Sequence, residues 1–371
     1  MAKIKVTVAV GTRPEIIKMA PVIWEVLKRR SLELIFVHTG QHFSPNMSDV
    51  FMHDLNLPKP DFFLDVRSGS HAQQTARIMV RAERVLKDTV PDIVLVEGDT
   101  NSALGVALAA SKLKIPIGHV EAGCRSFDRN MPEEINRVLI TDMATLHFAP
   151  TPFCRENLIH EGVSERNIFL TGHPIVDLLA HVGERIDNSS IFKDLGIKKK
   201  AYYLLTIHRA ENIDNPKKLQ SILCFAAEIT KEIPIIFPIH PHTRKNLRRF
   251  RMERLLRPIV SIPPLNYFDF ISLVKHARLV LTDSGGVQQE AAILHTPCIT
   301  LRETTEWIET VRKEVNFLAG TEVVNIRRTL HFIESNYDKI ISKFDEAKDI
   351  FGHPGASRRI MEVIEHFCHV R

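Results

Sequence analysis

Side chains able to transfer protons stand where apolar segments of the sequence end or helical patterns begin. Asp99 and Glu121 each follow a short apolar run, and His208 follows a third one. Glu133 lies at the start of a predicted helix. Carboxylates and histidines are the usual general acids and bases of enzymes, so together they predict proton transfer. Asp99 alone is explained as well by a structural role, because it or Thr100 can cap the helix that follows.

A glycine-rich turn indicates an anionic ligand. The apolar run 279–282 is followed by Asp283 and then by Ser284, Gly285 and Gly286, where a helical pattern begins. Exposed backbone N–H groups and the partial positive charge of a helix N-terminus favour a phosphate at such a turn. Glu290 lies about one helical turn further on and is placed to accept hydrogen bonds from a ribose. The segment therefore predicts a nucleotide ligand.

Positively charged side chains lie in the same kinds of segment as the candidate acids and bases. Arg13 and Lys18 follow the first strand-like run and are suited to an anion, although both are also explained as surface residues of a helix. The turn before them is not G-x-G-x-x-G, which disfavours NAD. Arg137 lies four residues after Glu133 and shares its helix face. Asn130 with Glu133 also fits a capping box, a purely structural alternative.

Strand-like and helical segments alternate along most of the chain, which predicts an α/β protein with parallel sheets. The pattern breaks in the polar stretch 177–200 and then resumes. We therefore expect two doubly wound Rossmann-like domains facing a cleft, the first covering residues 1–175 with a helix at 355–371, the second covering 176–354. The predicted strands are 4–10, 34–38, 93–97, 116–120, 146–149, 202–207, 233–238, 259–262, 279–282 and 298–301.

Composition narrows the class of protein. The 371 residues carry a net charge of +5, and the basic runs 198–200 and 248–257 are interpreted as solvated surfaces, so no nucleic acid is expected. Five scattered cysteines without a C-x-x-C pair indicate reduced thiols and a cytoplasmic protein. No apolar stretch has the length of a membrane helix. His240 and His242 lack a metal-binding spacing, and neither a metal nor another cofactor is expected.

Seven motifs in order make the chain similar to the non-hydrolysing UDP-N-acetylglucosamine 2-epimerases, which have the two-domain glycosyltransferase-B fold. The resemblance covers nearly the whole length, and residues 355–367 resemble the last helix of that family. The motifs are residues 11–15 (GTRPE), 98–100 (GDT), 119–123 (HVEAG), 132–137 (PEEINR), 208–212 (HRAEN), 282–286 (TDSGG) and 303–306 (ETTE).

The resemblance implies roles for individual residues and a homodimer. Three groups of residues are implied, for catalysis, for UDP binding and for a second, allosteric UDP-GlcNAc site. They are, for catalysis, Asp99, Glu121, Glu133 and His208 with Arg137 in support; for UDP, Arg13, Lys18, Ser284, Gly285, Gly286 and Glu290 with Phe270 against the uracil; and for the allosteric site, Gln41, His42 and Arg209.

Two departures from the family pattern bear on the substrate. The usual Thr-Thr-Glu-Arg-Pro-Glu reads Thr-Thr-Glu-Trp-Ile-Glu here, with Trp307 after Glu306. The usual Thr-Gly-Asn reads Thr-Gly-His, ending in His173. A tryptophan after the glutamate also resembles relatives that epimerise modified sugars such as UDP-2,3-diacetamido-glucuronate.

The implied reaction requires no redox cofactor. The C2 proton of an N-acetylglucosamine residue becomes acidic as UDP departs from C1, and a carboxylate then removes it to give a 2-acetamidoglucal. Return of a proton to the other face and re-addition of UDP gives the manno epimer. The alternatives are epimerisation of a modified UDP-sugar, a UDP-sugar glycosyltransferase, a hydrolysing epimerase and a nucleotide-sugar sensor without catalysis.

Overall fold

The chain folds into two compact units. The computed structural model describes residues 3–41 and 51–370. The first unit comprises Met1–His181 together with Phe351–Arg371, and the second comprises Val182–Ile350. No helix within the described ranges is long and apolar enough to cross a membrane.

The first unit is built on a seven-stranded sheet in which every paired strand is parallel. Its order is β3-β2-β1-β4-β5-β6-β7, so the chain reverses direction of winding after β3. The strands are β1 (Ile4–Val10), β2 (Leu32–His38), β3 (Phe62–Phe63), β4 (Ile93–Glu97), β5 (Ile117–Val120), β6 (Leu146–Ala149) and β7 (Ile168–Leu170).

The central strands of this sheet are apolar and buried along their whole length, because helices cover a parallel sheet on its faces. The polar loops that follow the strands lead into the N-termini of these helices. They are α1 (Arg13–Lys28), α2 (His71–Thr89), α3 (Asn101–Lys112), α4 (Pro132–Met143), α5 (Pro152–His160) and α6 (Pro174–Asp187), the last running across the boundary between the units.

The second unit repeats the architecture with six parallel strands in the order β10-β9-β8-β11-β12-β13. The strands are β8 (Tyr203–Thr206), β9 (Ile235–Pro238), β10 (Val260–Ile262), β11 (Leu279–Thr282), β12 (Cys298–Thr300) and β13 (Asn316–Leu318). The helices are α7 (Ile191–Leu195), α8 (Ala210–Ile213), α9 (Pro216–Ile229), α10 (Pro241–Arg249), α11 (Tyr267–His276), α12 (Gly285–Ile293), α13 (Ile308–Arg312), α14 (Val323–Ser335) and α15 (Tyr337–Ala347).

The predicted α/β class with two parallel sheets is confirmed. All ten predicted strands form, with ends within two residues of those expected. The strands that the sequence did not predict are β3, β7 and β13, which have two or three residues each and lie at sheet edges. The stretch 177–200, predicted to interrupt the alternation, is partly helical, because its apolar residues recur at helical spacing through Leu178, Val182 and Ile186.

The C-terminal helix α16 (Ala356–Val370) returns to the first unit and packs on α1. Its N-terminus is capped from elsewhere in the chain by Asp177, whose carboxylate accepts the backbone N–H of Gly355, Ala356 and Ser357 at 2.5, 3.2 and 2.8 Å. A carboxylate at this position satisfies amides that have no partner inside the helix and also complements the helix dipole.

We expect Asp177→Ala to lower the free energy of unfolding of the first unit by about 1–2 kcal/mol, the range of a lost N-cap. Urea unfolding followed by tryptophan fluorescence measures this change in a Trp307→Phe background. Trp24, which belongs to the first unit, is then the only tryptophan of the protein. Asp88→Asn is the control, because Asp88 is exposed and lies in the last turn of α2. An equal effect of both substitutions would contradict the capping role.

Candidate active site

The ends of β4 and β5 bring Asp99 and Glu121 side by side. Glu97 pairs with Val120 in the sheet, and the N–H of Gly98 donates to the carbonyl of Val120 at 3.0 Å. The imidazole Nε2 of His119 donates to the carbonyl of Gly98 at 2.8 Å, which ties the two strand ends together. The two candidate acid/base residues therefore follow neighbouring strands at the carboxyl edge of the sheet, where parallel α/β folds place their ligands.

The backbone of Glu121 is left-handed, with φ of +66°. A residue with a Cβ rarely adopts this conformation, which costs about 1–3 kcal/mol. Gly123 follows with φ of +82°, and a Cβ there would stand 2.1 Å from the carbonyl oxygen of Cys154. The turn after β5 is therefore shaped to direct the Glu121 side chain, and residue 123 must be glycine.

Lys18 lies between two buried carboxylates. Its ammonium is 2.9 Å from Oε1 of Glu97 and 2.5 Å from Oε2 of Glu121, and the lysine side chain is 13% exposed. Oε2 of Glu121 also meets Nε2 of His173 at 2.6 Å. In the structure Lys18 thus contacts carboxylates of its own unit, whereas the sequence resemblance implies a role in UDP binding.

The pKa values of Glu97 and Glu121 are shifted in opposite directions by their surroundings. Burial acts to raise the pKa of Glu121, but the Lys18 ammonium and the His173 hydrogen bond outweigh it and hold that pKa well below its ordinary value. Burial raises the pKa of Glu97, and the shared Lys18 opposes this only in part. Neighbouring groups with pKa values pushed apart are typical of acid/base sites. Glu121 is the carboxylate held in the ionised form.

Asp99 is held by Arg137. One guanidinium nitrogen of Arg137 bonds to the Asp99 carboxylate, and the other bonds to Glu134 at 2.8 Å. Burial raises the pKa of Asp99 against the effect of Arg137, and the nearby negative charges of Glu121 and Glu133 raise it further. Glu121 and Glu133 therefore lie close enough to Asp99 to affect its pKa, and the shared catalytic role of the three carboxylates stays a prediction.

The start of α4 differs from the predicted capping box. The N-cap is Met131, which makes no side-chain cap, so the box of Asn130 with Glu133 is wrong. The buried residue at this helix start is Glu134, whose carboxylate accepts the N–H of Ser126 at 2.9 Å and that of Phe127 at 3.2 Å. Glu134 fixes the preceding loop, and Glu133 is half-buried in the first turn of the helix.

Arg13 lies at the start of α1, and Gln41 lies in the loop after β2. The guanidinium of Arg13 lies over the ring of Phe51, 4.6 Å from its centroid. Gln41 accepts the N–H and the hydroxyl of Ser102 at 2.9 and 2.7 Å, so its amide is bonded at the start of α3. His42 lies outside the described residues. The allosteric role of Gln41, His42 and Arg209 stays a prediction.

In the second unit, Asp283 positions His208. The buried carboxylate of Asp283 accepts the N–H of His208 at 3.1 Å, the N–H of Arg209 at 3.0 Å and the amide of Asn212 at 3.1 Å. These bonds connect the loop after β8 to the end of β11. The imidazole of His208 is 41% exposed and lies near that of His240, with ring centroids 5.9 Å apart. His208 is thus accessible, and its loop is fixed beside the Ser284 turn.

Helix α12 begins as predicted, with Ser284 as N-cap accepting the N–H of Val287. Gly285 is enclosed, since a Cβ there would be 2.3 Å from a carboxylate oxygen of Glu306. Gly286 is open, with the Ser284 hydroxyl, 4.0 Å away, as the nearest atom to a Cβ. The amides at this helix start are therefore approachable by an anion.

Glu290 and Phe270 lie on two helices of the second unit that contact each other. Glu290 is one turn into α12, nearly buried, and accepts the hydroxyl of Tyr267 at 3.2 Å. Phe270 is half-buried on α11, which packs against α12. The helix that begins at Ser284 thus carries Glu290 and packs against the helix that carries Phe270, and the roles of both residues in binding UDP stay predictions.

Several residues of these sites were missed by sequence reasoning. Glu97 and His173 bond the Lys18–Glu121 pair, Glu134 and Asp283 anchor loops, and Arg302 bonds Glu306 at 2.9 Å. Glu97, Asp283 and Arg302 each stand within two residues of a strand end, and this position was the signal that could have identified them.

Glu97, Glu121 and His173 also form a group with the geometry of a metal site among the described residues. Lys18, however, bonds both carboxylates of the group. The cation that balances these charges is therefore the lysine ammonium, and Zn²⁺ or another divalent ion at this position would have to displace it.

Two parallel sheets of doubly wound order define an α/β protein with a glycosyltransferase-B-like fold. The family model described as UDP-N-acetylglucosamine 2-epimerase matches residues 25–365. The UDP-N-acetylglucosamine 2-epimerase of Methanocaldococcus jannaschii is 42% identical over 370 residues, covering 98% of this chain and 99% of that protein. The chain belongs to the UDP-N-acetylglucosamine 2-epimerase family.

Relatives and solved structures extend the comparison. The UDP-2,3-diacetamido-2,3-dideoxy-D-glucuronate 2-epimerase of Pseudomonas aeruginosa is 38% identical, with 97% of this chain and 99% of that protein covered. The crystal structure of the M. jannaschii enzyme in complex with UDP-GlcNAc and UDP has a TM-score of 0.87 at 41% identity, covering 98% of this chain and all of that one. The Neisseria meningitidis enzyme bound to UDP-GlcNAc has a TM-score of 0.89 at 32% identity, covering 98% and 100%.

We expect Lys18→Met to destabilise the first unit by about 3–5 kcal/mol at pH 8, because it leaves buried carboxylates without a counter-charge. Without the ammonium, burial raises the pKa values of Glu97 and Glu121 above those of the unfolded chain. The folded state then retains protons that the unfolded chain loses as pH rises, so the deficit shrinks as pH falls toward about 5.

Urea unfolding of the wild type and the variant at pH 8, 7, 6 and 5 measures this deficit. Lys28→Met on the same helix is the control, since Lys28 is 69% exposed and is expected to change stability by less than about 0.5 kcal/mol. A deficit for Lys18→Met that is independent of pH would argue against the buried charge cluster.

Proposed function

We propose that this protein interconverts UDP-N-acetylglucosamine and UDP-N-acetylmannosamine by inversion at C2. The observation that carries the proposal is the buried Glu121, whose pKa is held low by Lys18 and His173 and whose left-handed backbone directs it from the end of β5. A carboxylate that is ionised and fixed in direction is available to accept a proton, and because its low pKa makes Glu121 a weak base, the departure of UDP must supply the acidity of C2. The family membership and the names of the relatives support the same reaction.

The reaction proceeds in two halves. In the first, the bond from C1 to the diphosphate oxygen breaks, a carboxylate takes the C2 proton, and the C2–H electron pair forms the C1–C2 double bond of the 2-acetamidoglucal. In the second, a proton returns to the opposite face of C2 and UDP adds back to C1. Asp99, Glu121 and Glu133 supply the acid/base groups, and Arg137 supports Asp99. No electrons are exchanged with a cofactor.

UDP binds to the second unit in this proposal. The start of α12, with Ser284, Gly285 and Gly286, receives the diphosphate, because N–H groups at a helix N-terminus favour an anion. Glu290 bonds the ribose, and Phe270 lies against the uracil. His208 serves the departing phosphate as an acid or as a cationic partner, and Arg13 adds positive charge.

A modified UDP-sugar is the second candidate substrate. The P. aeruginosa relative is named for a UDP-2,3-diacetamido-glucuronate, and Trp307 departs from the usual family motif. Trp307 is 1% exposed, and its indole nitrogen lies 3.6 Å from the position of a Cβ on Gly285. The tryptophan therefore shapes the turn proposed to bind the diphosphate.

We propose further that the protein is a cytoplasmic homodimer that supplies a sugar nucleotide for cell-surface polysaccharide. The five cysteines, all of which lie in the described part of the chain, form no disulfide, which fits a reducing compartment. Ile135 and Leu139 are exposed one turn apart on α4, a small apolar face that a second copy would cover. Size-exclusion chromatography with light scattering measures the mass, and a monomer at micromolar concentration would refute the dimer.

Proton NMR of UDP-GlcNAc incubated with the protein in D₂O tests the reaction. We expect UDP-ManNAc to appear with deuterium at C2, without NAD or added metal, because the carboxylates exchange their proton with solvent. UDP-2,3-diacetamido-glucuronate is assayed in parallel. Turnover of that sugar alone would transfer the proposal to the second candidate, and binding of UDP without turnover of either would refute epimerisation.

We expect Asp99→Asn to lower kcat by about 100-fold or more while UDP affinity stays within about threefold, because a general acid/base contributes on this scale. The measurement combines the NMR assay with a UDP thermal shift. Asp142→Asn is the control, since Asp142 is exposed on α4. Turnover like that of the wild type in Asp99→Asn would remove Asp99 from the mechanism.

A further inference from the structure

The proton of His173 is located by its hydrogen bonds. Nδ1 accepts the backbone N–H of Ile175 at 3.0 Å, and Nε2 lies 2.6 Å from Oε2 of Glu121. A backbone amide only donates, so Nδ1 carries no proton and the single proton of a neutral imidazole is on Nε2. His173 therefore donates to Glu121.

The ring of His173 is also fixed in place. Its backbone N–H donates to the carbonyl of Phe351 at 2.9 Å, and the Phe351 ring meets the imidazole edge-on, with centroids 6.3 Å apart and planes at 88°. Gly172 precedes it with φ of +77°, and a Cβ there would stand 3.1 Å from the same carbonyl. The segment that begins the return to the first unit thus holds the imidazole rigidly beside Glu121.

The two oxygens of Glu121 have different surroundings. Oε2 receives both Lys18 and His173, at 2.5 and 2.6 Å. Oε1 accepts no hydrogen bond from the residues that the structure describes, and it lies 3.9 Å from where a Cβ on Gly98 would stand. Two donors on one oxygen fix the plane of the carboxylate and leave the other oxygen to accept a proton.

We propose that His173 is a positioning residue for the epimerisation, holding Glu121 so that Oε1 is presented to the sugar C2–H. This inference rests on the proposed function. Burial lowers the pKa of His173, which keeps the imidazole neutral. It acts as a fixed donor, and the proton removed from C2 goes to Glu121.

Two substitutions separate this role from packing. His173→Gln keeps an N–H group that reaches Glu121, whereas His173→Phe keeps a ring against Phe351 and removes both nitrogens. We expect His173→Phe to lower kcat by about 10- to 100-fold, as loss of an orienting partner does, with KM within about threefold. We expect His173→Gln to keep kcat within about fivefold. His160→Gln is the control, because His160 is exposed on α5 of the same unit.

The assay is C2 deuterium incorporation, with a UDP thermal shift to verify folding. Equal losses of activity in His173→Gln and His173→Phe, or full activity in His173→Phe, would overturn the inference about His173. An active wild type would uphold the proposed function in either case. An inactive wild type would refute both. Neutron diffraction of wild-type crystals gives a test that needs no variant. A proton on Nε2 alone is expected, and a proton on Nδ1 would overturn the donor role.

Discussion

The arrangement of the first unit depends on one ammonium shared by two buried carboxylates. Lys18 bonds Glu97 and Glu121 at once, so removing the ammonium leaves two carboxylates without a counter-charge where water has little access. Because His173 adds its bond to Glu121 alone, the charge is shared unequally and Glu121 remains the stronger acid of the pair. The same bonds that balance the buried charge of Glu121 therefore keep this carboxylate ionised, which is the state that the proposed reaction uses.

The parallel sheet makes this sharing possible. Lys18 comes from the helix after β1, whereas Glu97 and Glu121 come from the ends of β4 and β5. In the order β1-β4-β5 these three strands are neighbours, although long stretches of sequence separate them. Parallel strands end at the same edge, so the topology gathers the charges and the left-handed turn at Glu121 then directs the side chain.

Most of the fold could be predicted because buried parallel strands are continuous apolar runs, and all ten such runs formed strands. Edge strands such as β3 and β7 were missed, since two or three residues leave no pattern. The candidate carboxylates were identified by their place after strands. Glu97 also stands at a strand end and could have been identified in the same way, whereas His173 could not, because its importance lies in a contact with Glu121 that sequence separation conceals.

Acidic residues of this protein divide by the partners that they bind. Asp283 accepts the backbone amides of His208 and Arg209, and Asp177 accepts those at the start of α16. Backbone donors cannot change position without refolding a loop, so such carboxylates serve architecture. Glu121 and Asp99 instead bond charged side chains, Lys18 and Arg137. Burial and the charges of these side chains shift the pKa values of the two carboxylates, as is typical of acid/base sites.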